Sequence, residues 1–547
     1  MKKRFITLGS LMGLALSITV CGQSLVAAAD KSSEGEEEVY NFDASDLTTT
    51  DALVTELTVK VDGQDMKVTR YEDLYLTNPT IDDQKVSVYV PEGATDESPI
   101  ILSVNNSGWI ANSYSARTKI NEGDEFSSTA DDDKIGALLS RNYVLVSYGC
   151  RSRKNEPVNG VYGGHSPATI SDTKAVIRYL RANKDALTGN TDKIIITGTS
   201  GGGALSTVVA ASGDSADYYP ALFESGAAGI TQTENGYEST ISDAVFGVIA
   251  YCPITDLGNG DAAYEWTYQE TREALSKENM EGVEYSTEKY TYAPEISQEL
   301  ASLYSEYVDG LGLKLDDGQD LTSENLKDAI KNLMEAEIAE SIEEIGADQM
   351  LADIAEKENG AQDWLVINED GTFTYDIDKH LNWVAANKEL KTVNAFSNAG
   401  LEWGNTNEDS LFGTSEYEYS AFEKYSWDHD SVEGNGCGLD DTGLTWDEFI
   451  ATEEGQALLQ QIKLTNAVAY LNDTGENKGI KAPFWYVRYG MNDRDSSFAL
   501  ETILRYSISN NADIQDYSFE FAWLKPHAGD YDVQEAYAWL DGVLSEN

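Results

Sequence analysis

The sequence contains few cysteines. Its 547 residues include only four, Cys21, Cys150, Cys252 and Cys437. Cys21 falls in an expected export signal described below, and the other three are odd in number and far apart along the chain. This arrangement does not support a disulfide framework, and the spacing typical of zinc ligands is absent. We therefore expect no metal site and no organic cofactor.

Basic residues are also scarce. The chain has 38 lysines and arginines against 95 aspartates and glutamates, which gives a formal net charge of −57. A surface with this charge repels phosphate backbones and anionic lipids, and so it excludes nucleic acid as a partner. Acidic runs such as residues 36–38 and 131–133 are predicted to be solvated faces and not metal sites.

Long apolar runs are absent after the amino-terminal segment. The chain begins with Met-Lys-Lys-Arg, continues with an apolar run over residues 5–20 and reaches three alanines at residues 27–29. This order predicts a signal peptide over residues 1–29, followed by an acidic, Ser/Thr-rich tether over residues 30–50. Cys21 directly after the apolar run allows bacterial lipoprotein anchoring as the second choice. We expect a secreted or cell-surface bacterial protein with no transmembrane segment in the mature chain.

Strand and helix patterns alternate over residues 51–256. Buried runs predict strands at residues 85–90, 99–104, 143–148, 194–197 and 244–251, and helical periodicity appears at residues 135–139 and 167–183. Strands that alternate with helices at this spacing predict an α/β fold, with a mainly parallel sheet covered by helices on both faces.

The character of the chain changes over residues 257–470. This stretch is richer in acidic and aromatic residues and shows helical periodicity at residues 296–311 and 326–345. The sheet pattern resumes over residues 471–547, with expected strands at 484–489 and 517–523 and expected helices at 496–509 and 532–544. We therefore interpret residues 257–470 as a mainly helical lid inserted into one sheet domain.

A serine stands between a predicted strand and a predicted helix. The buried run 194–197 ends in Gly198-Thr199-Ser200-Gly201-Gly202, and a helical pattern of small residues follows. This is the strand–turn–helix context of a nucleophile elbow, in which small flanking residues let strand and helix pass closely. The free N–H groups of the helix would help to hold an oxyanion. The alternative interpretation is a tight turn without catalytic role.

A serine hydroxyl needs a base, and that base needs an acid to orient it. The chain has only four histidines, and in the order serine, acid, histidine only His527 follows a strand in the expected place. Asp493 and Asp495 follow the preceding strand, and we choose Asp493 as the acid with Asp495 facing the pocket. Both aspartates could instead cap the next helix. The other histidines are expected at the surface or at helix caps.

The oxyanion needs two N–H donors. The elbow supplies the N–H of Gly201, and the polar loop of residues 105–108 follows the strand after which α/β-hydrolases place the second donor. We select Ser107 in that loop. The alternative is an ordinary loop between strand and helix.

Several of these stretches together resemble one family, the bacterial (subtype B) tannases and related feruloyl-esterase-like α/β-hydrolases. The resemblance covers most of the chain after the tether. The stretches that carry it are residues 167–181, 189–192, 198–206, 251–255, 493–497 and 527–532. The loop of residues 105–108 departs from the pattern, because relatives often carry a Gly-rich loop there.

The resemblance implies an α/β-hydrolase fold and hydrolysis of galloyl esters by a serine triad that matches Ser200, Asp493 and His527. In such tannases a lysine and a glutamate of the lid and a second aspartate contact the phenolic hydroxyls. These residues match Lys391, Glu408 and Asp495 here. The alternative for Lys391 and Glu408 is a polar lid surface.

The sequence thus predicts a secreted serine carboxylic-ester hydrolase that acts on a small-molecule phenolic ester through an acyl-enzyme. A feruloyl or aliphatic esterase and a prolyl-type peptidase of similar fold are the alternatives among enzymes. A non-catalytic exported binding protein is the alternative of a different class.

Overall fold

The computed structural model of the protein describes residues 52–111, 118–155, 157–158, 162–276, 293–357, 363–399, 408–414, 419–431, 438–475 and 478–546. The predicted signal peptide, the tether, Cys21 and Cys437 lie outside the described residues. In the described part of the chain, no helix has the length and apolar character needed to cross a membrane.

A ten-stranded sheet forms the centre of the molecule. Its strands, in chain order, are β1 (Leu53–Val61), β2 (Gln64–Leu74), β3 (Lys85–Pro91), β4 (Pro99–Ser103), β5 (Glu125–Phe126), β6 (Val144–Tyr148), β7 (Asn190–Thr199), β8 (Gly247–Tyr251), β9 (Phe484–Gly490) and β10 (Asp516–Ala522). The order across the sheet is β10-β9-β8-β7-β4-β6-β3-β2-β1-β5. The six strands from β10 to β6 are parallel, and β3, β2 and β1 continue the sheet in antiparallel pairs.

Four of the six parallel strands are buried on both faces. Every residue of β4, β6, β8 and β9 is buried, as expected for continuous apolar runs in a parallel sheet. In β1, by contrast, buried and exposed residues alternate at its carboxyl-terminal end. The carboxyl ends of the parallel strands lie at one edge of the sheet, which is where open α/β sheets bind ligands.

Helices cover both faces of the sheet. The helices of the α/β part are α1 (Lys134–Ser140), α2 (Ala168–Ala182), α3 (Gly201–Ala211), α4 (Tyr219–Ser225), α16 (Phe498–Ser509) and α17 (Val533–Glu546). Residues of α1 and α17 pack with Ile101, Ile195 and Ile249 on one face. Residues of α2, α3 and α16 pack with Ile100, Ile194 and Val248 on the other face. The alternation of neighbours such as Ile194 and Ile195 between the two clusters follows from the period of two in a strand.

The connection between β8 and β9 contains residues 257–470, which we call the insertion. Its helices are α5 (Gly260–Ser276), α6 (Pro294–Leu311), α7 (Leu326–Glu344), α8 (Ala347–Ala355), α9 (Ile377–Asn387), α10 (Asn394–Asn398), α11 (Lys424–Asp428), α12 (Leu439–Thr442), α13 (Trp446–Phe449), α14 (Glu453–Leu464) and α15 (Ala467–Asn472). One small hairpin joins Leu365–Ile367 to Phe373–Tyr375. The mainly helical character expected for this stretch is confirmed, while the domain boundaries at 256 and 470 stay predictions.

The expected strands and long helices are present, with ends that differ by a few residues. Helix α5 was not expected, nor were two further hairpins, Ile230–Thr233 with Gly236–Ser239 and Asn106–Ser107 with Ile110–Ala111. One of the histidines expected at the surface or at a helix cap is instead buried. His380 lies in the core, where its ring stacks on Trp364 at 4.5 Å and bonds the hydroxyl of Tyr375 at 2.7 Å.

Candidate active site

Ser200 lies in a sharp turn between β7 and α3. Its backbone has φ 63° and ψ −126°, a region that a serine occupies only when the surrounding structure holds it there. The N–H of Ser200 donates to the carbonyl of Tyr251 at the end of the neighbouring strand, at 2.9 Å. A methyl group on Gly198 would lie 2.3 Å from the carbonyl oxygen of Gly202, so the turn requires glycine there. The strand, turn and helix predicted for the elbow are all present.

Three loops bring Ser200, His527 and Asp493 into one hydrogen-bonded line. The Nε2 atom of His527 lies 2.8 Å from Ser200 Oγ, and its Nδ1 atom lies 2.7 Å from Asp493 Oδ2. Asp493 is fully buried, and its second oxygen accepts the N–H of Asp495 at 2.8 Å. Helix α16 is capped by the side chain of Ser497, which accepts the N–H of Leu500. The alternative in which an aspartate caps this helix is therefore not what the structure shows.

The loop after β4 lies against the elbow. A methyl group on Gly201 would lie 2.4 Å from the backbone nitrogen of Trp109 and 2.8 Å from that of Gly108. Only glycine at position 201 allows these amides to come so close. Ser107 belongs to the short hairpin of the same loop, where it pairs with Ile110. The predicted donor Ser107 thus lies beside two further candidates, Gly108 and Trp109.

The predicted substrate-binding residues meet at the loop that carries Asp493 and Asp495. Lys391 Nζ lies 3.3 Å from Glu408 Oε1. Asp495 pairs with Arg494 at 3.0 Å and with Lys388 at 3.0 Å. Lys391, Glu408 and Asp495 line one small cavity together with apolar residues of the insertion and of the core, among them Leu257, Val393 and Leu500. Residues distant in sequence are therefore gathered in one place, with charged groups and apolar walls.

Comparison with known proteins supports the family that the sequence resembles. The BD-FAE family model matches residues 86–294. A tannin acyl hydrolase in complex with 3,4-dihydroxybenzoate has 25% sequence identity and a TM-score of 0.69, with 92% of this chain and 98% of that chain covered. A tannin acyl hydrolase in complex with ethyl gallate has 25% identity and a TM-score of 0.67, with 92% and 98% covered. This chain is therefore a carboxylic-ester hydrolase that is similar to tannases.

A further relative shows the same fold at lower identity. The tannase of Fusobacterium nucleatum has 24% identity and a TM-score of 0.66, with 92% of this chain and 100% of that chain covered. No curated protein sequence matches the chain. This coverage extends over the insertion as well as the sheet.

Negative charge beside His527 stabilises the protonated form of its ring. Burial opposes a charge on His527, but the hydrogen bond to Asp493 and the negative charges of Asp493 and Asp495 outweigh it and raise the pKa of His527. The raised pKa means that the ring takes up a proton more readily than a free imidazole does. Such a ring is suited to accept the proton of Ser200.

The cavity lined by Lys391, Glu408 and Asp261 holds opposite charges close together. Burial opposes the charge of Lys391, but Glu408 and Asp261 outweigh it and raise the pKa of Lys391. Burial also opposes the charge of Glu408, while Lys391 and Arg153 lower the pKa of that carboxyl. For Asp261 burial prevails and raises the pKa to about 7. The cavity therefore presents an ammonium group beside carboxylates.

Three residues at the site were missed by sequence reasoning. The thiol of Cys252 donates to the carbonyl of Ala528 at 3.2 Å, directly beside His527. Arg153 donates to the backbone carbonyl of Gly108, and Tyr264 bonds the backbone of both Lys391 and Arg494. Side chains that bond to backbone atoms leave no motif in the sequence, because any residue supplies the partner.

One group in the described part of the chain has the composition of a metal site. Cys252, Asp493 and His527 offer ligand atoms that all lie within 4.8 Å of one another. The two ring nitrogens of His527 already bond Asp493 and Ser200. A metal ion at this place would have to displace one of these bonds.

Proposed function

We propose that the chain is an exported serine esterase that hydrolyses galloyl or related phenolic acyl esters through an acyl-enzyme. The observation that carries this proposal is the line from Ser200 through His527 to Asp493, at 2.8 Å and 2.7 Å. Geometry of this kind allows a histidine to take a proton from a serine while a buried carboxylate fixes its tautomer.

The reaction has two halves. In the first, His527 takes the proton of Ser200 as Oγ attacks the ester carbonyl carbon. The resulting oxyanion is held by the N–H of Gly201 and by one from the loop of Ser107, Gly108 and Trp109. The C–O bond to the alcohol then breaks, and His527 passes its proton to the leaving oxygen.

In the second half, a water molecule takes the place of the alcohol. His527 accepts a proton from this water as it attacks the acyl carbon, and the same N–H groups hold the second oxyanion. The bond from the acyl carbon to Ser200 Oγ then breaks, and the proton returns to Oγ. The products are the free acid and the free serine.

The cavity lined by Lys391, Glu408 and Asp495 supports a phenolic acyl group. Phenol hydroxyls can donate hydrogen bonds to carboxylates such as Glu408 and Asp495, and they can accept one from the ammonium group of Lys391. Leu257, Val393 and Leu500 offer apolar walls for a ring. The complexes of two similar structures with 3,4-dihydroxybenzoate and ethyl gallate support the same class of acyl group. We further propose that the insertion, which supplies Lys391 and Glu408, acts as a lid.

A panel of esters tests the proposed chemistry. Methyl gallate, ethyl ferulate and p-nitrophenyl butyrate would be assayed with the wild type and with Ser200→Ala. We expect the wild type to prefer methyl gallate and Ser200→Ala to lose about three or more orders of magnitude in turnover. Labelling with a fluorophosphonate should also be lost in Ser200→Ala and retained in Ser206→Ala, whose hydroxyl lies buried on α3. Cleavage of proline-linked peptides without activity on methyl gallate would contradict the proposal, as would a folded wild type that does not react.

Lys391→Ala tests the assignment of the acyl group. We expect a KM for methyl gallate about tenfold higher, because a charge-assisted hydrogen bond to a phenol is lost. The KM for p-nitrophenyl butyrate should remain within twofold of the wild type. Lys379→Ala is the matched control, since this exposed lysine of α9 pairs with Asp363 at a distance from the cavity. Equal losses on both esters would refute a role in phenol binding.

A further inference from the structure

Helix α5 holds both backbone groups of Lys391. The N–H of Lys391 donates to the hydroxyl of Tyr264 at 2.8 Å, and Arg272 Nη2 donates to the Lys391 carbonyl at 2.7 Å. Tyr264 and Arg272 are both buried, with 3% and 6% of their surface exposed. Lys391 itself lies between α9 and α10, outside any helix or strand. Its backbone is therefore fixed by side chains of α5 and not by secondary structure.

The same tyrosine also contacts the loop that carries the aspartates. The hydroxyl of Tyr264 donates to the carbonyl of Arg494 at 2.8 Å. Arg494 stands between Asp493, which bonds His527, and Asp495, which lines the cavity. A hydroxyl has one proton and two lone pairs, so it can donate to one group and accept from another at the same time. One oxygen atom thus joins the Lys391 segment to the Asp493 loop.

Neighbouring side chains fix the position of the Tyr264 hydroxyl. The ring of Tyr264 packs on that of Tyr268, with 4.8 Å between centroids. The guanidinium carbon of Arg272 lies 5.6 Å from the centre of the Tyr264 ring. Glu265 holds Arg272 by accepting its Nε at 2.9 Å and also accepts the hydroxyl of Ser297 at 2.7 Å. The ring cannot turn away without breaking these contacts.

We propose that Tyr264 is a positioning residue for ester hydrolysis. Its hydroxyl sets the place of the acyl-binding lysine relative to the loop of the triad acid, so that a substrate held by Lys391 lies in register with Ser200 and His527. Tyr264 acts through Lys391 and the peptide of Arg494, and not by chemistry of its own. The inference rests on the proposed function, because it takes Lys391 as the contact of the phenolic acyl group.

A double-mutant cycle tests this role. Tyr264→Phe removes one oxygen atom and keeps the ring. We expect it to raise the KM for methyl gallate about tenfold, because one or two hydrogen bonds are lost. The kcat for both esters and the KM for p-nitrophenyl butyrate should change by less than threefold. In a Lys391→Ala background the same change should raise the KM for methyl gallate by less than twofold, because residues that act through one another are not additive.

The control is Tyr268→Phe. Tyr268 lies one turn further along α5, is fully buried, and reaches the carbonyl of Asp493 only at 3.5 Å. We expect this variant to keep the wild-type KM for methyl gallate. Full additivity of Tyr264→Phe with Lys391→Ala would overturn the proposal, and so would an equal effect of Tyr268→Phe.

Hydrogen exchange separates this inference from the proposed function. The Lys391 amide should lose protection in Tyr264→Phe and keep it in Tyr268→Phe, with the exchange of β7 and β8 unchanged in both as evidence of a folded sheet. If the wild type hydrolysed no phenolic ester, the proposed substrate class would fail, and exchange would still decide whether Tyr264 holds this segment. Unchanged protection in Tyr264→Phe would overturn the positioning role.

Discussion

His527 uses both ring nitrogens, and the charge next to it determines the pH range in which it can act. In the proposed mechanism the ring must be neutral to accept the proton of Ser200. Asp493 stabilises the protonated ring and so raises the pKa of His527 above its ordinary value. Activity should therefore fall as the pH is lowered through this raised pKa, and kcat/KM should decline tenfold for each pH unit below it.

Asp493→Asn changes this pH dependence in a defined direction. Without the negative charge the pKa of His527 falls, so the acidic limb of kcat/KM should move to lower pH. Turnover should fall by about four orders of magnitude, because an amide can hold the imidazole in the wrong tautomer. The measurement is kcat/KM between pH 5 and pH 9. Asp530→Asn is the control, since Asp530 pairs with Lys134 and not with His527. An acidic limb that stays in place in Asp493→Asn would count against the role of Asp493.

Some residues of the site could be predicted from the sequence and others could not. Ser200, Asp493 and His527 stand on loops after predicted strands, and the small number of histidines left a short search. The second oxyanion donor stays a prediction, because Ser107, Gly108 and Trp109 follow one another in the same loop and each carries a backbone N–H group. Which of them points at the oxyanion depends on the path of the loop, and residue types do not encode that path.

At the scale of elements, helices were predictable where an apolar face is regular. Helix α6 follows such a pattern, with Leu300, Tyr304 and Val308 buried along one face. Helix α5 does not, because its buried positions include the polar residues Glu265, Thr271 and Arg272. These side chains bond to each other and to neighbouring segments, and so the face turned to the protein is not apolar. For this reason apolar periodicity did not predict helix α5, which contributes Asp261 and Tyr264 to the cavity.

Arg153 links two elements that the sequence does not connect. Its Nε donates to the carbonyl of Gly108 at 2.8 Å, and its Nη1 donates to the hydroxyl of Ser410 at 2.8 Å, two residues after Glu408. The loop that lies against Gly201 is thereby tied to the segment that carries a predicted substrate contact.

Arg153→Lys should loosen this link, because an ammonium group cannot reproduce the planar fork of the guanidinium. We expect kcat to fall about tenfold on every ester, a part of what the loss of an oxyanion donor costs. Arg181→Lys is the matched control, since Arg181 also bonds backbone carbonyls but does so near residues 191 and 242–244, at the other edge of the sheet. A steady-state comparison of both variants on methyl gallate and p-nitrophenyl butyrate measures the effect. An unchanged kcat in Arg153→Lys would show that the loop holds its position without this residue.

At the scale of the whole molecule, the excess of acidic residues reaches into the interior. Burial raises the pKa of Glu337 to about 7, and it does the same for Glu520. A carboxyl group with a raised pKa binds its proton more tightly in the folded chain than in the unfolded chain. Its contribution to stability is present below the ordinary pKa and is lost as the pH rises towards 7.

The thermal stability of the protein should accordingly be higher at pH 5 than at pH 8. Glu337→Gln mimics the protonated acid and can keep the bonds from the N–H of Trp523 and from the hydroxyl of Ser341. We expect this variant to narrow the difference in Tm between the two pH values by on the order of 2 °C. Glu344→Gln, at an exposed position of the same helix, should leave the difference as it is in the wild type. Scanning calorimetry at pH 5 and pH 8 measures these differences in Tm. An unchanged difference in Glu337→Gln would contradict the raised pKa of Glu337.

The insertion leaves the sheet after β8 and returns to it in β9, and these two strands are hydrogen-bonded neighbours. Because the two ends of the insertion lie on neighbouring strands, its length places no demand on the register of the sheet. Descendants of one ancestor could therefore lengthen, shorten or exchange this stretch while the proton-transfer machinery stayed intact. Preference for one acyl group over another would then evolve as a property of the insertion, and the ability to break an ester bond would be inherited with the sheet.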